Sequence, residues 1–282
     1  MIGRSVLFTP GDRPEMLRKA PAAGADVVVF DLEDAVAPGR KAEAREAVAE
    51  VLSDPEFDPA CEVRVRVNPE FENDLAILDR TRPDGLMLPK AASGADVAAL
   101  DERVREHGDS LPVIALIESA RGVLAAPEIA AYEATDALAF GAEDLAADIG
   151  ATRSEEGTEV LYARERVVIA ASAAGCGAVD TVYTAIEDRE GLAEETRFAA
   201  GLGYDGKMAI HPAQVGPINQ AFSPDPEDVE WAKRVLEARE RAEREGRGVF
   251  RVDGEMIDAP LVARAEQVLE RVRLAEGDHG SR

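Results

Sequence analysis

Residues 112–118, "PVIALIE", read as an apolar strand that stops on a carboxylate, Glu118. The next such run, "DALAFG" at 136–141, is followed at once by Glu143 and Asp144. Glu118 and Asp144 thus sit just beyond two successive strands. Two converging carboxylates with no cysteine and no histidine pair beside them point to a hard cation, Mg2+ or Mn2+, rather than zinc. Mg2+ keeps several of its waters and takes one or two protein carboxylates plus substrate oxygens. The competing reading pairs each carboxylate with a nearby arginine, and spacing alone does not separate the two.

Other strand ends carry charge as well. In "EVRVRV" (62–67) the valines 63, 65 and 67 share one face, which leaves Arg64 and Arg66 on the other. An arginine directed into a site mouth clamps an anion or an enolate, while a structural ion pair is the plainer alternative. Glu33 and Asp34 follow "DVVVFD" (26–31) and are placed to hold metal-bound waters. Capping the helix after Pro38 fits them equally well. His211 has a packing role beside Pro212 as its alternative. Tyr183 and Met208 read as core or wall, and no Ser-His-Asp arrangement emerges.

The elements that must position these residues recur regularly. Eight short apolar runs, several of them β-branched, are "SVLFT" (5–9), "DVVVFD", "EVRVRV", "GLMLP" (85–89), "PVIALIE", "DALAFG", "AVDTVY" (178–183) and "GKMAIH" (206–211). Helical patterns separate them, and alternating strand and helix predicts a parallel sheet. Eight units predict a (β/α)8 TIM barrel over residues 1–222, whose chemistry lies at the C-terminal ends of the strands. An open doubly wound sheet is the runner-up, but "TPGDRP" after the first strand is not the glycine-rich dinucleotide turn. On this reading strand seven ends at Tyr183 and Thr184 without a charge. Residues 223–282 form a C-terminal helical extension: a long helix, a turn at Asp253-Gly254 and a last helix. It is too small for an independent core, so it packs on the barrel or on a neighbouring subunit.

Composition narrows the setting. The 282 residues carry 56 acidic against 32 basic side chains, a net charge of -24, which argues against nucleic acid as a partner. Lysines are scarce (Lys19, Lys41, Lys90, Lys207 and Lys233) and the other basic residues are arginines. An acid-rich, lysine-poor surface suits a salt-rich cytoplasm in which counterions screen self-repulsion, so a halophilic source is expected, with an acidic mesophilic enzyme from a GC-rich genome as the alternative. No apolar run is long enough to span a membrane and no signal peptide is evident, so a cytoplasmic protein with reduced Cys61 and Cys176 is expected.

Taken together, "LFTPGDRPEMLRKA", "VVVFDLEDAV", "VRVNP", "LMLPKA", "ALIESARGV", "FGAEDLAADIG", "DGKMAIHPAQ" and "GEMIDAPLVARA" resemble, in order and over nearly the whole chain, the citrate lyase beta-subunit-like branch of the HpcH/HpaI aldolase family. That branch includes malyl-CoA, methylmalyl-CoA and citramalyl-CoA lyases. The resemblance implies a Mg2+-dependent TIM barrel that makes or breaks a carbon–carbon bond next to a CoA thioester, with a small 2-oxoacid such as glyoxylate as the other partner. It implies Glu118 and Asp144 as metal ligands, Arg66 as the enolate-stabilising arginine and Asp258 of "MID" as the catalytic acid or base. It also implies a homo-oligomer, a trimer or hexamer, in which Asp258 serves a neighbour's barrel, and CoA contacts from Arg13, Lys19 and Lys90. The expected activity is a 3-hydroxyacyl-CoA lyase acting on malyl-CoA or β-methylmalyl-CoA. Its rivals are a malyl-CoA thioesterase, a pyruvate aldolase that needs no CoA, and a citrate lyase beta subunit working on a carrier-protein thioester.

Overall fold

The computed structural model describes residues 2–108, 110–244 and 246–275. Eight parallel strands close on themselves: β1 (Ser5–Pro10), β2 (Val27–Asp31), β3 (Glu62–Arg66), β4 (Gly85–Leu88), β5 (Val113–Ile117), β6 (Thr135–Phe140), β7 (Gly177–Asp180) and β8 (Gly206–Ala209). β8 pairs with β1, which makes the sheet a barrel and excludes the open, doubly wound arrangement. The strands are buried on both faces, as a helix-covered parallel sheet requires. Inward-facing Val6, Val29, Ile114, Leu116, Ala139 and Met208 belong to one apolar cluster that fills the interior.

The helices of the barrel are α1 (Pro14–Lys19), α2 (Lys41–Ser53), α3 (Gly94–Glu106), α4 (Ala120–Ala130), α5 (Ala142–Asp148), α6 (Leu161–Ala174), α7 (Arg189–Leu202) and α8 (Pro212–Phe222). Their ends follow local chemistry. Ser119 caps α4 by accepting the Gly122 N–H at 3.1 Å, and Asp188 caps α7 through the Gly191 N–H at 3.0 Å. Between β3 and β4 the chain makes only 3-10 turns, Phe71–Asn73 and Leu75–Asp79, in place of a full helix.

Strand seven differs from the sequence expectation. It ends at Asp180, so the strand exit carries a buried charge after all. Asp180 points outward, against the helices. Its carboxylate accepts from Lys207 at 2.6 Å and from Arg164 at 2.6 and 2.8 Å. Glu195 lies 3.5 Å from Arg164 and 3.6 Å from Lys207, so two anions balance two cations in the layer between sheet and helices.

The chain forms two compact units divided between Asn219 and Gln220. The second holds α9 (Pro226–Arg244), the antiparallel hairpin of β9 (Phe250–Val252) and β10 (Glu255–Ile257), and α10 (Ala259–Ala275). The hairpin turns through Asp253 and Gly254, both at positive φ (52° and 86°), as a tight two-residue turn demands. Contrary to the expectation of no core, Ala232, Val235, Val252, Ile257 and Ala265 form a small apolar cluster of its own. Among the described residues no helix is long and apolar enough to cross a membrane.

Candidate active site

A cavity of about 390 Å³ opens at the C-terminal ends of the barrel strands. Arg66, Glu118 and Asp144 all line it, together with Asp31, Asp34 and Glu143. Apolar Phe8, Leu116, Val182 and Met208 form much of the remaining wall, which agrees with the core-or-wall reading of Met208. Tyr183 is not among the lining residues. Its hydroxyl donates to Asp188 at 2.6 Å.

Glu118 is the residue after β5, and only 4% of it is exposed. Its Oε1 accepts the backbone N–H of Lys90 at 2.8 Å. Lys90 adopts φ 55°, the left-handed region that a non-glycine residue rarely occupies. The other neighbour is Asp144, exposed in the first turn of α5 and within hydrogen-bonding reach of Glu118. Burial first, then the adjacent Asp144, push the Glu118 carboxyl up to about 8, against the Lys90 N–H. Carboxylates this close repel unless a proton or a cation lies between them. Among the described residues no three His, Cys, Asp or Glu side chains converge on one point. A pair at a cavity wall is what a hard cation needs when water and substrate supply its other oxygens. The donor set therefore fits Mg2+ and does not fit a closed four-ligand zinc site.

The chain makes room for this pair at Gly141. Gly141 follows β6 in register with Glu118, and a Cβ there would fall 2.6 Å from the Glu118 Cβ and 2.9 Å from Oε2. Gly122 plays a similar part behind the strand, where a Cβ would lie 2.5 Å from the Ala91 carbonyl oxygen.

Arg64 and Arg66 both point into the barrel, as the alternation of β3 requires. Arg64 is deep, and its fork is taken by Asp136 at 2.7 and 2.9 Å and by Glu62. Arg66 lies at the mouth, with the Phe8 ring 4.8 Å from its guanidinium carbon. It donates to Asp31 at 2.6 and 2.7 Å, and its Nη1 lies 3.1 Å from Glu33 Oε2. Burial works against its charge, but Asp31 and Glu33 outweigh burial and raise its pKa further.

The structure does not use Glu33 and Asp34 as helix caps: α2 has no side-chain cap. Glu33 is buried and bonded to Lys90 Nζ at 2.8 Å, whereas Asp34 is exposed, with its nearest arginine nitrogen 3.9 Å away. Burial raises the Glu33 pKa, and Arg66 and Lys90 counter it only in part. The loop is braced from below by Lys41, which donates to Leu32 O at 2.7 Å and to Asn68 Oδ1 at 2.8 Å. Asp74 in turn accepts both the backbone and side-chain N–H of Asn68 at 2.7 Å. Of the three candidate CoA contacts, Lys90 is committed to Glu33, and Arg13 and Lys19 are exposed at the two ends of α1. Asp258 belongs to the second unit, where its Oδ1 accepts the Leu261 N–H at 3.3 Å in the first turn of α10.

Two lining residues went unread in the sequence. Asp31 was visible only as one more charged strand end. Thr181, buried, accepts the Ala142 N–H at 3.1 Å and so ties the end of β7 to the start of α5, which carries Asp144. The signal for it was the end of β7, which β-branched Thr181 and Val182 blurred.

Comparison with known proteins agrees with this geometry. The model of the family described as HpcH/HpaI aldolase/citrate lyase matches residues 4–212. The citrate lyase subunit beta of Haemophilus influenzae is 40% identical over 283 residues, covering 96% of this chain and 97% of that one. The mitochondrial citramalyl-CoA lyase of Homo sapiens is 35% identical over 289 residues, covering 94% and 84%. The crystal structure of CitE from Mycobacterium tuberculosis in complex with magnesium, acetoacetate and coenzyme A superposes with a TM-score of 0.79 at 40% identity, covering 96% and 98%.

Proposed function

The chain belongs to the HpcH/HpaI aldolase/citrate lyase family, whose members are lyases, and from that premise we propose that its barrel mouth breaks or forms the carbon–carbon bond of a 3-hydroxyacyl-CoA. The favoured esters are malyl-CoA and β-methylmalyl-CoA, giving glyoxylate and acetyl-CoA or propionyl-CoA. The observation that carries the reading is convergence: Arg66 and the Glu118–Asp144 pair line one cavity.

Glu118 and Asp144 would hold Mg2+ in this reading, which the presence of magnesium in the CitE complex supports. When bound, the ion supplies Lewis-acid chemistry, drawing electron density from the oxygens of the 2-oxoacid half. Arg66 turns its Nη1 edge to the thioester oxygen and stabilises the charge that gathers there as the bond breaks and the α-carbon becomes an enolate. Asp258 returns a proton to that carbon in cleavage and removes one in condensation. It does so from a neighbouring subunit, within a homotrimer or a dimer of trimers. Glu33 and Asp34 orient metal-bound water, and Arg13, Lys19 and Lys90 meet CoA. Lys90 must first leave Glu33 to do so. Phe8, Leu116, Val182 and Met208 keep water from the enolate carbon.

The test is a panel of malyl-, β-methylmalyl-, citramalyl- and citryl-CoA with Mg2+, following free CoA, acyl-CoA and 2-oxoacid together. Acyl-CoA and 2-oxoacid in equal amounts are expected. Free CoA without 2-oxoacid would establish a thioesterase instead. The name of the Haemophilus influenzae relative favours one second reading, a subunit that acts on a carrier-protein thioester. Inactivity on every CoA ester but turnover of a loaded carrier would decide for it.

A further inference from the structure

Asp31 and Arg66 are register partners on β2 and β3, so their side chains leave the sheet side by side and enter the barrel together. Asp31 is 0% exposed, and each of its oxygens already accepts two hydrogen bonds. Oδ1 accepts the Glu33 N–H at 2.8 Å and Arg66 Nε at 2.7 Å. Oδ2 accepts the Ala35 N–H at 3.0 Å and Arg66 Nη2 at 2.6 Å. One carboxylate therefore fixes both the loop after β2 and one whole edge of the guanidinium. Phe8 packs against its face. The Nη1 side is paired with Glu33 and borders the cavity. Its nearest protein acceptor, Glu33 Oε2 at 3.1 Å, is buried and makes no hydrogen bond.

We infer that Asp31 is a positioning residue: by holding the Nε and Nη2 edge it selects Nη1, the edge that Arg66 shares between Glu33 and the cavity, as the one the substrate oxygen meets. The inference rests on reading Arg66 as the donor to the thioester oxygen. An arginine stem has several free torsions, and Glu33, already paired with Nη1 at 3.1 Å, and Asp34 at 3.9 Å compete with Asp31 for the guanidinium. A fork-to-fork carboxylate removes that freedom before substrate arrives.

Asp31→Asn keeps the shape but sets an NH2 group against two donors. Its kcat should fall by about 100-fold with KM for the ester within about threefold, the scale of a misplaced catalytic group. In an Arg66→Ala background no guanidinium remains to be held, and Asp31 keeps only its two backbone N–H donors. There Asp31→Asn should change kcat by less than about twofold. Millimolar guanidinium should restore Arg66→Ala saturably, but not Arg66→Ala/Asp31→Asn, and this comparison does not depend on the single Asp31 variant folding. Near wild-type kcat in Asp31→Asn, losses that multiply, or equal rescue of both backgrounds would overturn the inference. A wild-type chain without lyase turnover would sink the proposed function instead. The tie itself is then read from crystal structures of wild type and Asp31→Asn: loss of the two-bond contact through Nε and Nη2 and a rotated guanidinium are expected, and an unmoved guanidinium overturns it.

Discussion

Gly141 and Glu118 lie on adjacent strand ends so close together that the glycine has no room for a side chain: a Cβ would sit 2.6 Å from the Glu118 Cβ. The Glu118 carboxylate, proposed to share a cation with Asp144, is thus held from one side by the Lys90 N–H and from the other by the bare Gly141 backbone.

Gly141→Ala should therefore push Glu118 off its place. Overpacking of this kind costs about 1–3 kcal/mol, and Mg2+ affinity measured by calorimetry should drop with it. Gly201, inside α7 with nothing within 4 Å of its would-be Cβ, is the control. Gly201→Ala should leave Mg2+ affinity unchanged and raise stability by about 0.4–1 kcal/mol. Equal effects at the two glycines would remove the steric argument.

Arg66→Lys keeps the charge and loses the planar fork that matches Asp31. The expected loss in kcat is about 100-fold or more, that of one preorganised oxyanion donor. Steady-state kinetics on the ester from the panel decide it, and an unchanged kcat would make Arg66 a structural ion pair.

The ionic layer behind β7 and β8 makes a stability prediction. Lys207→Met leaves buried Asp180 with Arg164 alone and should cost about 3 kcal/mol in urea unfolding, the low end for breaking a buried pair. Burial works against the Asp180 charge, yet Lys207 and Arg164 outweigh it and hold the carboxyl below its ordinary 3.8. A depressed folded pKa adds stability that is present above the unfolded value and disappears as pH falls through the folded one. The wild-type advantage over Lys207→Met should hold at neutral pH and shrink only below about pH 4. An advantage that vanishes near pH 7 would point to another group.

Asp258 can be tested by complementation. Asp258→Ala and Glu118→Ala should each be inactive alone. Coexpressed, they should regain activity wherever an intact barrel meets an intact extension from a neighbour. A mixed oligomer, confirmed by mass, that shows no gain would confine Asp258 to its own barrel or to capping α10.

The net charge of -24 predicts salt dependence. Raising KCl from about 0.1 M to molar levels shortens the Debye length from about 10 to 3 Å and should raise Tm by screening self-repulsion. A Tm that falls or stays flat would argue against a salt-rich source.

What the chain order of residues determined was local. Each strand announces itself by a short apolar run, and the run's last residues mark the barrel mouth, so Arg66, Glu118 and Asp144 could be singled out as candidates by position and residue type. The same rule failed at β7. There Thr181 and Val182 continue the strand propensity beyond Asp180, but β8 pairs only with Val179 and Asp180, so the ladder ends early and the buried charge was overlooked. Tertiary structure decided everything that depends on register and closure. Asp31 and Arg66 are 35 residues apart and meet because β2 and β3 align in one register rather than another. Glu118 finds the Lys90 N–H 28 residues away because β4 lies beside β5. Strand propensity is a property of a few neighbouring residues, whereas which carboxylate faces which arginine is set by how separate strands slide against each other before the barrel shuts.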